Sequence, residues 1–469
     1  MKRRRPSWAR HKHTFSVATF LISGILCHAE DTGSDTAPGN RIQPYPSNPW
    51  YWMYKGKPTF LIGGSDDDNP YQWESGQLND HLDLLVSVGG NFIRNTMSTR
   101  DDGNLLPFEK LNGRYEFSQE NDAFWQKFDQ FLQETARREI IVQLTLWDQH
   151  DFVASNWETH FWNPANNNIG LAASRVYDDH AFFSSVKDRN ALLLPYQMKY
   201  IERMLSYSLQ YDHVIYNITN EGWAGLEWEV YWAKFIRKQA DQVGKSVEIT
   251  SMEHSPQLSI EAVLENPSVF SYFEISQNNN SSTGYLGYEH WKHIMDWRNE
   301  IFDTIGPRPL LNEKIYGAEG QRVSYGSEEL AVQRFWSNTF AGSAGVRFHR
   351  PSAGLGLGKM AQQQIRALRL FSDDFGIVDA QPAPQLIPSA PEPGAYCLVG
   401  KKGKIAIYLE KSAPLSLRLK RGSYLIQKLD IENCRWSQPK ASVVKSDRLH
   451  LEFPSDGSRV ILLLTSGKN

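Results

Sequence analysis

Short apolar runs recur through the middle of the chain, separated by segments with helical spacing. The runs are TFLIG (59–63), NFIRN (91–95), IIVQLTLW (140–147), HVIYNI (213–218), VEITS (247–251), FSYFEI (270–275), PLLNE (309–313) and GVRF (345–348). Continuous apolar runs of this length suit strands buried on both faces. Segment 123–137 carries Phe124, Phe128, Phe131 and Leu132 at helical spacing. Segment 195–209 carries Met198, Ile201, Met204 and Leu205. Segment 226–240 carries Trp228, Tyr231, Trp232, Phe235 and Ile236. Eight buried-type strands alternating with helices predict an α/β fold, a parallel (β/α)8 TIM barrel over 48–380. The run FSYFEI also fits a helix end. An open doubly wound sheet is the rival, and it would usually carry a Gly-rich phosphate turn after its first strand. Here that turn reads Gly63-Gly64-Ser65-Asp66-Asp67-Asp68, and three acids would repel a phosphate.

Beyond 395 the pattern changes. AYCLVG, KIAIYLE, LSLRLK, SYLIQKLD, LHLEF and SRVILLLT are separated by turn residues. This alternation predicts a small C-terminal antiparallel β-sandwich over 395–469. The stretch QPAPQLIPSAPEP, with five prolines, reads as a linker over 381–394.

The N-terminus has a different logic. Lys2, Arg3, Arg4, Arg5, Arg10 and Lys12 precede an apolar stretch from Thr14 to Cys27, and Ala29 precedes the acidic Glu30. This is the layout of a secretory signal peptide over 1–29, followed by a polar linker over 30–47. An uncleaved anchor is the rival, but the stretch is short for a bilayer, which needs about 20 residues. The expectation is an exported protein with no membrane association after signal removal. Without 1–29 the chain has 44 basic and 53 acidic residues, a net charge of −9. Such a chain is a poor candidate for nucleic-acid binding. An oxidising compartment permits a disulfide between Cys397 and Cys434, and two isolated thiols fit equally well.

In a barrel, reactive residues sit at the C-terminal strand ends and in the loops just after them. That rule selects Asp66–Asp68 after strand one, Arg94-Asn95 on strand two, and Trp147 to Asp151, with His150, after strand three. It selects Asn220-Glu221-Gly222-Trp223 after strand four and Gln277 to Asn279 after strand six. Strand seven offers Asn312-Glu313-Lys314-Ile315-Tyr316, and strand eight offers Arg347-Phe348-His349-Arg350. Hydrogen-bonding groups and Trp dominate, which suits a polyhydroxylated ligand. The chain holds 15 Trp; flat apolar faces serve sugar clefts, and they serve cores equally well.

A glycosidase needs one carboxylic acid to protonate the leaving oxygen and a second carboxylate across the anomeric carbon. Glu221 at a strand end fits the acid, with Asn220 holding a sugar hydroxyl beside it. A helix N-terminus would favour a glutamate there as well. His150, Asp148 and Asp151 lack a second His at metal-ligand spacing, and Asp66–Asp68 lack an EF-hand frame, so neither a metal nor a cofactor is expected. No Gly-x-Ser-x-Gly elbow surrounds Ser65. Arg347, His349 and Arg350 form a cationic rim suited to a uronate or sulfate, or to salt bridges with nearby acids.

The order Arg94, Asn220-Glu221 and Glu313 resembles clan A glycoside hydrolases. More closely, 48–469 looks like the apiosidase-like bacterial glycosidases, which open with a phrase similar to NPWYWMYKGKPTFLIGGS, continue as GGNFIRN, and end in a β-domain described as collagen-binding. The resemblance implies retaining hydrolysis, with Glu221 as acid/base and a strand-seven Glu as nucleophile. The expected substrate is a plant or algal poly- or oligosaccharide, contacted by Asp67, Arg94, Trp147, His150, Asn220, Trp223, Gln277, Tyr316, Arg347 and His349. The family's strand-seven acid falls about one residue later than Glu313, at Lys314, and a one-residue slip turns a strand side chain to the other face. Glu319 is the reserve nucleophile. The roles predict a raised pKa for Glu221 and an ionised Glu313, helped by Lys314 or Arg94. A non-catalytic glycan-binding or scaffold barrel is the alternative function.

Overall fold

The computed structural model describes residues 39–169, 179–277, 287–318, 326–388, 394–454 and 456–467. The signal-like leader, Asn278, Asn279 and Glu319 lie outside the described residues.

The eight predicted runs form one parallel sheet: β1 (Leu61–Gly64), β2 (Phe92–Thr96), β3 (Ile141–Asp148), β4 (Val214–Asn220), β5 (Ile249–Thr250), β6 (Phe273–Glu274), β7 (Leu310–Ile315) and β8 (Gly345–Phe348). Their order is β5-β4-β3-β2-β1-β8-β7-β6. Two bonds join its ends, Ser271 N to Ile249 O at 2.9 Å and Thr250 Oγ1 to Tyr272 O at 2.8 Å. A helix follows every strand in turn: α1 (Ser75–Ser87), α2 (Asp122–Arg137), α3 (Leu194–Ser208), α4 (Leu226–Gln242), α5 (Pro256–Glu265), α6 (Gly287–Ile305), α7 (Glu328–Phe340) and α8 (Lys359–Phe375). The chain is therefore a (β/α)8 barrel, and the open-sheet alternative is excluded. FSYFEI supplies a strand, of only two residues.

The predicted helix stripes are the buried ones. Phe124, Phe128, Phe131 and Leu132 on α2 are fully buried, as are Ile201 and Met204 on α3 and Trp232 and Ile236 on α4. At the N-terminal end of the strands, Trp52 packs with Leu61, Phe92, Ile141, Ile215, Tyr272 and Leu311. This apolar plug closes the bottom of the barrel, so the polar strand ends at the top are left as the open mouth.

The C-terminal region forms an antiparallel sheet from β9 (Ala395–Val399), β10 (Ile405–Leu409), β12 (Gly422–Asp430), β13 (Arg435–Trp436), β14 (Lys440–Val444) and β16 (Val460–Ser466). The pair β11 (Leu415–Arg418) and β15 (Arg448–Leu451) makes a second layer. Strand alternation splits the larger sheet between two cores. Tyr396, Leu398, Ala406, Tyr408, Ile461 and Leu463 join the barrel core. Cys397, Ile405, Ile407, Leu409, Leu462 and Leu464 join the core between the sandwich layers. Tyr396 stacks on Trp291 of α6 at 5.1 Å, and Tyr408 lies 6.0 Å from Trp336 of α7.

Cys397 and Cys434 are free thiols. Cys397 belongs to the sandwich core, whereas Cys434 packs against the barrel core, so the possible disulfide is not formed.

Candidate active site

Glu221 follows β4 directly and has φ of 57°, a left-handed conformation that costs a non-glycine residue energy and clusters at functional sites. The turn is pinned from behind: Gly222 N donates to Met252 O at 3.0 Å, and His254 N donates to Gly222 O at 3.2 Å. A Cβ on Gly222 would stand 3.0 Å from Glu229 Oε1 and 3.2 Å from Thr219 Cβ, so a side chain there would press on Glu229 and Thr219.

Two basic side chains hold the Glu221 carboxylate. Lys314 Nζ donates to its Oε1 at 2.6 Å, and His150 Nε2 lies 3.2 Å from Oε2. Lys314 also donates to Asn220 Oδ1 at 2.6 Å. Asn220 Nδ2 in turn donates to Asp148 Oδ1 at 2.8 Å, and Asp148 forms a short ion pair with Arg100. The chain Arg100–Asp148–Asn220–Lys314–Glu221 ties the ends of β3, β4 and β7 together across the mouth.

A second network lies beneath. Arg94 is fully buried; its Nη1 donates to Asp68 Oδ1 at 2.9 Å, and its Nε stands 2.9 Å from Glu313 Oε1. Arg347 Nη1 donates to the Glu313 carbonyl at 2.7 Å. His349 and Arg350 also approach Asp68, at 3.7 and 3.3 Å.

Glu313 and Lys314 are adjacent in a strand, yet both reach groups of the barrel interior or mouth. The reason is a bulge. Asn312 pairs with Val346 and Ile315 with Phe348, so β7 spends one more residue than β8 over this interval. The extra residue breaks the alternation that would have sent one of the two outward.

The electrostatics reverse the expected order of the two glutamates. Burial opposes charge on Glu221, but Lys314 and His150 outweigh it and hold its pKa well below the usual range. For Glu313, burial dominates over Arg94, Arg347 and Lys314 and raises the pKa. The expected raised pKa of Glu221 is therefore incorrect. Arg94 and Lys314 do favour the ionised form of Glu313, as expected, but burial outweighs them in direction. The bond to Glu221 raises the pKa of His150. Burial holds Asp151 up at about 7, with Asp148 adding to the effect, and Arg100 overcomes burial to hold Asp148 down at about 2.

Not every predicted contact faces the mouth. The Glu221 side chain is 23% exposed and His150 52%, while Lys314 is 2% and Glu313 0% exposed. Trp223, 58% exposed, stands beside a cavity of about 210 Å³ shared with Gln149, Phe183 and Trp228. Asp67 is half-buried and accepts from Trp73 Nε1 at 3.2 Å. Tyr316 stacks on His349 at 5.0 Å, both nearly buried. Trp147 is a correction: it lies in the aromatic core against Trp162, Phe182, Tyr200, Trp228 and Trp232, behind the strands. Arg94 and Arg347 are corrections as well: both are fully buried beneath the mouth, Arg94 against Asp68 and Glu313 and Arg347 against the Glu313 carbonyl. On the rim of strand eight, Arg347 and Arg350 pair with Asp68, while burial holds the pKa of His349 well below its usual value. Gln277 is buried beside Met252.

Sequence reasoning missed Arg100 and Glu253. Arg100 lies four residues past the end of β2, beyond a search limited to strand ends. Glu253 is buried behind the Glu221 turn, bridged to Gly222, and burial pushes it up to about 7. Its position just after strand five was the available signal.

No family model matches the chain, and no curated protein matches it in sequence. Solved structures do match. A glycoside hydrolase family 5 protein from Bacteroides vulgatus ATCC 8482 is 11% identical, with a TM-score of 0.66 over 91% of this chain and 94% of that one. Another glycoside hydrolase is 10% identical, with a TM-score of 0.62 over 91% of this chain and 97% of that one. A family 5 mannosidase from Rhizomucor miehei is 12% identical, with a TM-score of 0.51 over 72% of this chain and 99% of that one. These chains share the barrel fold.

Proposed function

We propose that the protein is an exported glycoside hydrolase that cleaves a poly- or oligosaccharide laid across the barrel mouth, with Glu221 as acid/base and Glu313 as nucleophile. The observation that carries this reading is the Glu221 carboxylate, partly exposed at the end of β4 between Lys314 and His150. The barrel fold shared with family 5 glycoside hydrolases supports it.

Glu221 is ionised at rest, so it must gain a proton before it donates one. His150 is the neighbouring proton carrier: its ring lies 3.2 Å away and reaches solvent, and the transfer to Glu221 must be drawn forward by the developing charge on the glycosidic oxygen. The proton passes from His150 Nε2 to Glu221 Oε2 and then to the glycosidic oxygen as the bond to the anomeric carbon breaks. Glu313 then forms the glycosyl ester. Its carboxylate is fully buried; Oε1 faces Arg94 Nε at 2.9 Å, and Oε2 has no hydrogen-bond partner among the described residues, which leaves it available to a reacting carbon. Water, deprotonated by Glu221, would release the sugar with its configuration retained. The exposed Trp223 indole offers an apolar platform to an adjacent sugar ring.

A polymer too large to enter a cell suits an enzyme with an export leader. The mannosidase neighbour adds mannans to plant and algal polysaccharides as test substrates. The decisive experiment is incubation with slow 2-fluoro glycosides of several sugars, followed by peptide mass analysis. A glycosyl ester on Glu313 is expected; labelling of Glu221 instead would exchange the two roles.

The Lys314–Glu221 ion pair also favours a second reading, a glycan-binding barrel without turnover, because Lys314 neutralises the cleft carboxylate. Polysaccharide binding with no hydrolysis of any glycan would select it.

A further inference from the structure

We infer that the protein carries a second glycan-binding site, sharing no residue with the Glu221 network, in the groove between the barrel and the C-terminal sandwich. The groove encloses about 860 Å³, within the range of about 300–1,000 Å³ typical of ligand clefts, which favour domain interfaces. Its walls are α7, α8 and the β12–β13 hairpin.

Its lining suits a neutral polyhydroxylated ligand. Three acidic and three basic side chains balance, so the groove has no field to hold a polyanion or polycation. Between them stand side-chain amides, hydroxyls and one indole, the groups that grip sugar hydroxyls and the apolar faces of sugar rings. Gln364 is 4% exposed, and its Oε1 accepts from Trp336 Nε1 at 2.8 Å. That bond fixes the carboxamide and leaves Nε2 without a protein partner among the described residues. Gln363, one position earlier on α8, lines the same groove and makes no side-chain hydrogen bond among the described residues. The half-buried Trp436 is oriented by its Nε1, which donates to Asp374 Oδ2 at 2.7 Å across the domain junction. The Arg459–Glu329 ion pair ties the sandwich to α7 in the groove wall. The Gln364 amide and the Trp436 indole are thus fixed in place before a ligand arrives, which lowers the entropy cost of binding.

The choice of a glycan also rests on the proposed activity of the mouth, so binding and turnover are read separately. The full chain carrying Glu221→Gln is run by affinity electrophoresis through gels containing galactomannan, xyloglucan or laminarin, and titrated with mannohexaose and cellohexaose. At least one glycan is expected to bind, with at least fivefold weaker affinity after Trp436→Ala or Gln363→Ala. Gln363→Ala keeps the test open if Trp436→Ala fails to fold. In the otherwise unaltered enzyme, both variants should hydrolyse a small aryl glycoside at the parent rate. Unchanged affinity in both variants, or no binding to any of these glycans, overturns the second site. Loss of affinity in the groove variants without hydrolysis of any substrate sustains the site and sinks the proposed activity.

Discussion

Lys314 Nζ lies 2.6 Å from Glu221 Oε1 and 2.6 Å from Asn220 Oδ1, so a buried ammonium from strand seven clamps the Asn-Glu pair of strand four. Glu313, the carboxylate one residue earlier, is turned to Arg94. The charge state of the mouth follows from this arrangement.

Removing the ammonium should release the carboxylate. In Lys314→Met only His150 still offsets the burial of Glu221, and its pKa should move up. Breaking a buried pair from one side costs about 3–5 kcal/mol. The double variant Lys314→Met/Glu221→Gln should recover part of that loss, because no unpaired charge remains. Denaturant unfolding of the four proteins measures it; purely additive losses would show that the pair contributes nothing.

Glu221→Gln should retain the fold and lose about 10²–10⁴-fold in kcat on unactivated glycosides. Aryl glycosides with good leaving groups should lose less in the first step, since their oxygen needs little protonation. Full activity on natural substrates would remove Glu221 from the mechanism.

Asp151 should make stability fall as pH rises. Held up at about 7, it keeps its proton in the folded chain where an ordinary unfolded aspartate, near 3.9, has lost it. The folded state therefore binds more protons between about pH 4 and 7, and stability drops through that window. Asp151→Asn removes this dependence. The variant should gain on the parent above pH 7 relative to below pH 4; a constant difference across the range would contradict the assignment.

The two C-terminal thiols should differ in reactivity without any change on reduction. Cys397 is buried and pushed up to about 12, whereas Cys434 is half-buried. Thiol labelling of the native protein followed by peptide mapping should modify Cys434 first. A Tm that falls on adding reductant would reveal a bridge instead.

Barrel and sandwich should unfold together. Tyr408 is buried against Trp336 and Phe340, and truncating a buried aromatic to alanine typically costs about 3–5 kcal/mol. Tyr408→Ala should lower one calorimetric transition; two separated transitions in the parent would show independent domains.

The barrel was legible in the sequence because a strand buried on both faces must be apolar throughout, and a helix covering it must carry an apolar stripe. Those demands are local, and the eight runs and the stripe of α2 met them. The mouth was legible for the same reason: polar residues at strand ends have no place in the packed layers. Trp147 was misjudged because the pattern places a residue along a strand, while packing against α3 and α4 decides whether it faces the mouth or the helices. The charge states of Glu221 and Glu313 were beyond reach of the pattern. They depend on a bulge of one residue in β7, which turns both Glu313 and Lys314 toward the barrel interior, and on burial, which raises one carboxylate while an ammonium 93 positions away in sequence lowers the other. Charge state is set by distances across the barrel, and only the closed tertiary structure establishes those distances.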